Sequence, residues 1–100
     1  MLLVVATVPG KPDKRQELSE LLQSLAASSR SDAGCSSYAF YSDVEDPDAF
    51  VSIETWDQQS SLDAHMQQPH TQAALGRLGD LLAGAPTITA HDIASSTRAM

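Results

Sequence analysis

Residues 34–70 read GCSSYAFYSDVEDPDAFVSIETWDQQSSLDAHMQQPH, and this stretch decides the fold. Residues 35–42 alternate between two faces, and residues 50–56 do so again after an acidic turn that contains Pro47. Because successive side chains of a strand point to opposite faces, these two segments predict a β-hairpin. A short helical segment that carries His65 follows the second strand.

The chain before the hairpin predicts one strand and one helix. Residues 2–8 form a β-branched run that is apolar on both faces, which is typical of a strand buried on two sides. A turn at residues 9–12 follows, with Pro12 suited to the first turn of a helix. The next apolar residues have the spacing of one helical face: Leu18, Leu21, Leu22, Leu25 and Ala26.

The chain after the hairpin predicts two helical segments and a last strand. Asp57 is a suitable N-cap for the first segment, and Pro69 starts the second, which runs towards Gly84. Residues 87–93 predict the strand. The order βαββαβ indicates an α+β, ferredoxin-like fold, with helices on one face of a four-stranded antiparallel sheet. We predict a single domain over residues 2–93 and a loose C-terminal tail over residues 94–100.

Composition and charge narrow the class of protein. The chain has 100 residues, and its 13 acidic against 6 basic side chains give a formal charge of −7. This balance argues against binding to nucleic acid or to an anionic membrane surface, which rely on clustered Lys and Arg. Neither a membrane span nor a signal peptide is predicted, so the expected location is cytoplasmic. Because a chain of this size has a small core, the two-sided strand at residues 2–8 predicts a homodimer whose second copy covers the open sheet face.

The hairpin and the helix after it carry an ordered set of motifs. In one-letter code the pattern is GC-x2-Y-x2-Y, then DP-x2-F-x3-E-x-W, then x8-H-x4-H. Its residues are Gly34, Cys35, Tyr38, Tyr41, Asp46, Pro47, Phe50, Glu54, Trp56, His65 and His70. The set resembles the signature of the antibiotic biosynthesis monooxygenase family, and the resemblance extends over residues 2–93. It implies a dimeric α+β barrel, in which two sheets pack face to face.

The resemblance also implies an activity. It implies oxygenation of phenolic or quinol-type aromatics without flavin or metal, in which the ionised substrate itself supplies electrons to dioxygen, although some similar proteins act as isomerases. The implied function is a cofactor-independent monooxygenase that oxidises a quinol or anthrone, with dioxygen as co-substrate and no bound cofactor. The protein then has to bind a planar ring, remove a proton and exclude water.

His65 is the candidate catalytic residue. Imidazole side chains exchange protons near neutral pH, which suits this residue to accept a phenolic proton, and the alternative is a buried structural histidine. His70 lies five residues on, across Pro69, where a continuous helix would turn it about 140° away from His65. With no Asp, Glu or Cys at ligand spacing, no metal site is predicted. His70 is expected to start a helix or to line the substrate pocket.

Aromatic and apolar side chains are the candidates for binding the substrate. Tyr38 and Phe40 point the same way along their strand and can form an aromatic wall, whereas Tyr41 points to the other face. Trp56 can stack on a flat ring, although core packing is the more common role of a Trp at a strand end. Met66, on the short helix, completes the predicted set.

Three further residues are given structural roles. Glu54 lies in the middle of a strand, where a carboxylate needs a partner, and Arg77 or Arg98 of either subunit is expected to form an ion pair with it. Cys35 is expected to fill space rather than to act as a nucleophile. His91 is expected to be structural or to lie at an interface.

The sequence also allows three alternatives to the monooxygenase. An isomerase acting on a small sugar-like molecule would need a hydrophilic pocket and a second acid or base such as His70. A non-catalytic dimer would store or sense an aromatic molecule in the same pocket. Haem-degrading proteins are similar around Trp56, but they carry a haem-ligating histidine about where Leu75 stands and an Asn on the first strand, so haem is not expected.

Overall fold

The computed structural model describes residues 1–100 and confirms the predicted order of elements. Four strands and three helices make up the fold. The strands are β1 (Leu2–Pro9), β2 (Cys35–Ser42), β3 (Ala49–Trp56) and β4 (Thr87–Asp92), and the helices are α1 (Arg15–Ser29), α2 (Gln59–Met66) and α3 (Pro69–Leu78). Pro12 opens a single 3₁₀ turn that leads into α1. None of the helices combines the length and the apolar character that crossing a bilayer requires.

The four strands form one antiparallel sheet in the order β2-β3-β1-β4. β1 lies between β3 and β4, so that Val4 is opposite Glu54 on one side and Ala90 on the other. This is the ferredoxin-like arrangement that the βαββαβ order predicts. Because β3 is an interior strand, its side chains on the helix side are covered from above and flanked by strands on both sides.

One face of the sheet is buried under the helices. The even-numbered residues of β1 and of β3 are buried, in keeping with the two-residue period of a strand. α1 presents its fully buried Leu18 and Leu22 to this face, and Leu78 of α3 packs beside them. A second cluster surrounds Trp56, and Phe40 packs against both clusters. The apolar faces predicted for the helices and for the strands therefore pack against each other and form the core between helices and sheet.

The opposite face of the sheet is only partly covered by its own chain. On β1, Leu3 and Val5 are half-buried and Thr7 is exposed. Ile53 of β3 lies on the same open face and is 38% exposed. The two-sided burial predicted for residues 2–8 is therefore not supplied by this chain alone.

The start of α2 differs from the prediction. The helix begins at Gln59 with Gln58 as its N-cap, so the assignment of Asp57 as the N-cap was wrong. Asp57 lies in the bend after β3, where its carboxylate accepts a hydrogen bond of 3.4 Å from the Ser36 hydroxyl. The side chain thus ties the end of β3 to the start of β2.

The end of α3 also differs from the prediction. The helix stops at Leu78, well before Gly84. The chain then turns back towards β1, since the Ala83 N–H donates to the Pro9 carbonyl at 2.8 Å. Backbone pairing with the end of β1 replaces the last turn of helix.

Gly34 offers a direct test of the turn that leads into β2. Its φ is +81°, in the left-handed region, and a Cβ at this position would lie 2.5 Å from the Ser61 Cβ. We expect Gly34→Ala to lower the free energy of unfolding by about 2 kcal/mol in urea denaturation, because it adds backbone strain and a clash. Gly76→Ala is the matched control, since its Cβ would meet no atom within 4 Å, and it should raise the stability by about 0.5–1 kcal/mol. Equal stability of Gly34→Ala and wild type would contradict the left-handed conformation of Gly34 and its close packing against Ser61.

Candidate active site

A cavity lies between the helices and the buried face of the sheet. It encloses about 60 Å³, and 11 of its 16 lining residues are hydrophobic. Val8 and Leu22 belong to its apolar wall. Leu75 and Ile88, which are 39% and 50% exposed, mark its mouth. The cavity is therefore an apolar recess that solvent reaches from the β4 side.

Only a few polar groups enter this apolar wall. They are Ser52 and Glu54 from β3, His65 from the last turn of α2, and Thr71 from the first turn of α3. All four residues are buried, with between 0% and 4% of their surface exposed. Buried polar groups in an apolar recess are the usual means of fixing the orientation of a small ligand.

His65 forms a cluster with two other side chains. Its Nδ1 lies 2.7 Å from Oδ2 of Asp32, and Nε2 of His70 lies 2.9 Å from the same oxygen. Because a carboxylate can only accept, each imidazole donates an N–H to Asp32 in this arrangement. The hydroxyl of Thr71 is 3.4 Å from the His65 Nδ1. No side chain of the chain bonds to the His65 Nε2, which leaves this nitrogen as the free acceptor of the ring.

The break between α2 and α3 brings the two histidines together. On one continuous helix, residues five apart point about 140° away from each other. Pro69 is the first residue of α3 and cannot continue the hydrogen bonding of α2, so the chain changes direction between them. Asp32 comes from the turn before β2, where its own carbonyl accepts the Cys35 N–H at 3.1 Å. The cluster thus joins three separate parts of the chain.

Asp32 is the functional residue that the sequence prediction missed. The expectation of no metal site depended on finding no acid at ligand spacing from the histidines, and it did not consider Asp32, which contacts both rings from 33 and 38 residues away. The feature of the sequence that could have identified Asp32 is its position two residues before Gly34. A glycine with positive φ makes a tight turn, which can aim the residues just before it across the sheet edge.

Glu54 is a second buried carboxylate, and its partners differ from those predicted. The Ser52 hydroxyl donates to its Oε2 at 2.7 Å and the Trp56 indole N–H donates to its Oε1 at 3.0 Å. Neither Arg77 nor Arg98 of this chain forms an ion pair with it, so the expected arginine partner was wrong within the chain. Two neutral donors hold the carboxylate in the cavity wall.

Aromatic rings surround His65. The Tyr38 ring lies 5.4 Å from the imidazole and 5.7 Å from the Phe40 ring, edge to face with the latter, and both residues line the cavity as an aromatic wall. The Trp56 ring lies 4.7 Å from the His65 ring at a tilt of 39°, but it is fully buried and lies behind the cavity wall. Trp56 therefore supports the imidazole rather than facing a ligand.

The remaining candidate residues take different positions. Met66 lines the cavity beside His65, and its predicted role in binding stays a prediction. His70 lies outside the cavity and borders a groove between α1 and α3. Tyr41 and His91 are exposed away from the cavity, His91 at a position paired with Leu3 on the open face of the sheet.

Two side chains, Tyr38 in the cavity wall and Cys35 near the site, hold their protons more strongly than usual. Burial raises the pKa of the Tyr38 hydroxyl well above its usual range, and the nearby Glu54 carboxylate raises it further. Burial likewise raises the pKa of the Cys35 thiol, with Glu54 and Asp32 adding to the effect. Tyr38 can therefore act as a hydrogen-bond donor at neutral pH, and Cys35 is a poor nucleophile.

The raised pKa of Tyr38 predicts a loss of stability in base. A tyrosine in the unfolded chain ionises near pH 10, whereas the buried Tyr38 keeps its proton. Above about pH 10 the unfolded state binds fewer protons, so the free energy of unfolding falls with pH, by about 1.4 kcal/mol per pH unit. Urea unfolding at a series of pH values should give a shallower slope for Tyr38→Phe than for wild type. Identical slopes would contradict the burial of this hydroxyl.

The fold and the site define a class of protein: a small ferredoxin-like α+β domain with a buried histidine–aspartate pair at an apolar cavity. The sequence model of the antibiotic biosynthesis monooxygenases matches residues 1–77, which is most of the chain. The chain belongs to the antibiotic biosynthesis monooxygenase family, as the motifs of the hairpin indicated.

Individual relatives agree with this assignment. The chain is 35% identical over 95 residues to sll1783 of Synechocystis, an uncharacterized protein, and it covers 65% of that protein's length. It is 29% identical over 82 residues to YcnE of Bacillus subtilis, provisionally named a monooxygenase, with 82% of this chain and 86% of YcnE covered. A crystal structure from Deinococcus radiodurans, provisionally assigned to the same family, superposes with a TM-score of 0.95 at 25% identity, covering 100% of this chain and 99% of that one.

Proposed function

We propose that this chain is a cofactor-independent monooxygenase that oxidises a small quinol with dioxygen. The observation that carries the proposal is the position of His65. Its ring lines the apolar cavity, Asp32 occupies its Nδ1, and its Nε2 has no partner in the chain. This is the arrangement of a general base that a carboxylate holds in one tautomer.

The proposed reaction needs only groups that the cavity offers. The His65 Nε2 accepts a proton from a phenolic hydroxyl, and the resulting phenolate transfers an electron to dioxygen. Recombination of the two radicals forms a ring-carbon peroxide, which takes the proton back and loses water. One oxygen atom stays on the ring and the other leaves as water, so quinol and dioxygen give hydroxyquinone and water. The Tyr38 ring lines the cavity beside His65, where it can contact the substrate ring.

The size of the cavity favours a single ring over a polycyclic anthrone. Its enclosed 60 Å³ is far below the several hundred cubic ångströms typical of ligand pockets. A single phenolic ring can place its hydroxyl beside His65 while the far edge rests at the mouth, near Leu75 and Ile88. The predominantly apolar wall gives less support to an isomerase of sugar-like molecules, which would require polar contacts around the substrate.

Oxygen consumption by chelator-treated, flavin-free protein tests the proposal. With reduced single-ring quinones and labelled dioxygen, we expect oxygen uptake and one labelled atom in the product. Anthrone should react more slowly, because it exceeds the cavity. Exchange of solvent deuterium into a substrate without oxygen uptake would instead indicate an isomerase, and ligand binding without turnover would indicate a storage or sensing role.

We further propose that a second copy of the chain covers the open face of the sheet. Half-buried Leu3 and Val5 and the exposed Ile53 form an apolar strip on this face, and contiguous apolar strips are typical of interfaces. We expect sedimentation velocity to give a dimer for wild type and a monomer for Ile53→Glu. Val44→Glu, at a fully exposed turn position, is the control and should remain a dimer. A monomeric wild type would contradict this arrangement.

A further inference from the structure

We propose that Asp32, His65 and His70 together bind one divalent transition-metal ion. The donor atoms of these three side chains, one carboxylate oxygen and two imidazole nitrogens, all lie within 4.8 Å of one another. They converge from the turn before β2, from the end of α2 and from the start of α3. This inference concerns binding by the protein alone and does not depend on the proposed oxygenation.

The distances between the donor atoms suit a coordination shell. Bonds of about 2.0–2.2 Å from zinc to nitrogen or oxygen place two ligands about 2.9 Å apart at a right angle and about 3.3 Å apart in a tetrahedron. The Asp32 Oδ2 lies 2.7 Å from the His65 Nδ1 and 2.9 Å from the His70 Nε2. The two imidazole nitrogens lie within 4.8 Å of each other. Because two bonds of about 2.1 Å span at most about 4.2 Å, an ion can replace the two shared protons once the imidazole rings approach each other.

The chemistry of the donor set indicates which ions fit. Two imidazoles and one carboxylate suit Zn²⁺, Co²⁺ and similar first-row ions, whereas Mg²⁺ and Ca²⁺ prefer shells of oxygen. Three protein ligands leave at least one position for water. Asp32 supplies a single negative charge, which partly neutralises the ion.

The cluster is buried but can be reached from solvent. The Asp32 and His65 side chains are 8% and 3% exposed, whereas the His70 side chain is 27% exposed. His70 borders the groove between α1 and α3, which also contains Ser24 and Ser28. An ion can therefore enter from the side of His70 without passing through the apolar cavity.

Metal binding and proton acceptance by His65 exclude each other. An ion on Nδ1 requires the neutral imidazole to carry its proton on Nε2, the nitrogen that would otherwise accept the substrate proton. The metal-loaded chain is thus expected to be inactive in the proposed oxygenation, and a chelator is expected to restore it. Occupancy of the cluster would then act as a switch on the same histidine.

Titration of the untagged, chelator-treated chain with Zn²⁺ and with Co²⁺ tests the inference. Calorimetry should give one Zn²⁺ per chain with a dissociation constant on the order of micromolar. Co²⁺ should produce visible absorption bands on binding. Asp32→Asn and His70→Ala should each weaken binding at least about tenfold, and His91→Ala, on the exposed strand β4, should leave it unchanged.

Each result of the titrations either supports the metal site or overturns it. Circular dichroism and melting temperature establish that each variant is folded, and His70→Ala is the safer variant because its side chain is the most exposed of the three. Absence of saturable binding by wild type would overturn the site, and so would equal binding by wild type and Asp32→Asn. Loss of binding in His91→Ala would place the metal elsewhere. None of these results depends on whether the chain consumes oxygen.

Discussion

We expect His65→Gln to lower kcat/KM for quinol oxidation by about 10²–10⁴-fold in chelator-treated protein. The glutamine amide can fill much of the imidazole volume and hydrogen-bond to Asp32, but it cannot take up a proton at neutral pH. Substrate binding depends largely on the apolar wall and on Tyr38, so the change should fall mainly on kcat. Oxygen-electrode assays over a range of quinol concentrations separate the two parameters.

Two further variants make this prediction specific. His91→Gln changes a histidine on the open face of the sheet, outside the cavity, and should retain wild-type kcat/KM in protein that sedimentation velocity shows to have the wild-type oligomeric state. Asp32→Asn should reduce kcat by removing the carboxylate that fixes the His65 tautomer, and nitrogen NMR of the imidazole should show the proton moving from Nδ1 towards Nε2. Wild-type turnover by His65→Gln would exclude this residue as the proton acceptor.

The fold was predictable because its main signals are local. A period of two at residues 50–56 and a helical period at residues 18–26 are properties of adjacent residues, and each marks the face that is later buried. The helix boundaries were less predictable. α3 ends at Leu78 with Gly79 as its C-cap, a local stop signal that the prediction passed over. Ala83 then pairs with the end of β1, and this contact between distant parts of the chain leaves no local pattern in the sequence.

The site was predictable only in part, for the same reason. His65 was placed correctly in a cavity wall by its position after the hairpin. Asp32 was missed because its contacts with the two histidines span more than 30 residues and depend on how the turn at Gly34 meets the break at Pro69. Spacing rules for metal ligands and catalytic pairs consider only neighbours on one helix or strand.

The partners of Glu54 could have been predicted by the strand pattern itself. Residues two positions apart on a strand share a face, so Ser52 and Trp56 lie on the same face as Glu54, on either side of it. Both carry a hydrogen-bond donor, and together they provide one donor for each carboxylate oxygen. The expected arginine partner was inferred from the negative charge of Glu54 alone, without considering these two neutral donors.

This arrangement makes Trp56 the side chain whose loss should destabilise the fold most. Its indole is fully buried, lies against the Tyr38 and His65 rings, and donates to Glu54. We expect Trp56→Ala to lower the free energy of unfolding by about 3–5 kcal/mol, since it leaves a large cavity and removes a donor from a buried carboxylate. Urea unfolding followed by far-UV circular dichroism measures this loss, against a total stability of about 5–15 kcal/mol for a typical domain.

A double-mutant cycle separates the packing of Trp56 from its hydrogen bond. Trp56→Phe keeps an aromatic ring but leaves the Glu54 Oε1 without its donor, and Glu54→Gln removes the charge that made the donor necessary. If the indole stabilises the carboxylate, the two changes should couple by about 1–2 kcal/mol, so that the double variant is more stable than the sum of the single effects implies. Additivity within about 0.5 kcal/mol would assign the whole role of Trp56 to packing. Val44→Ala, at a fully exposed position, should change the stability by no more than about 0.5 kcal/mol and calibrates the comparison.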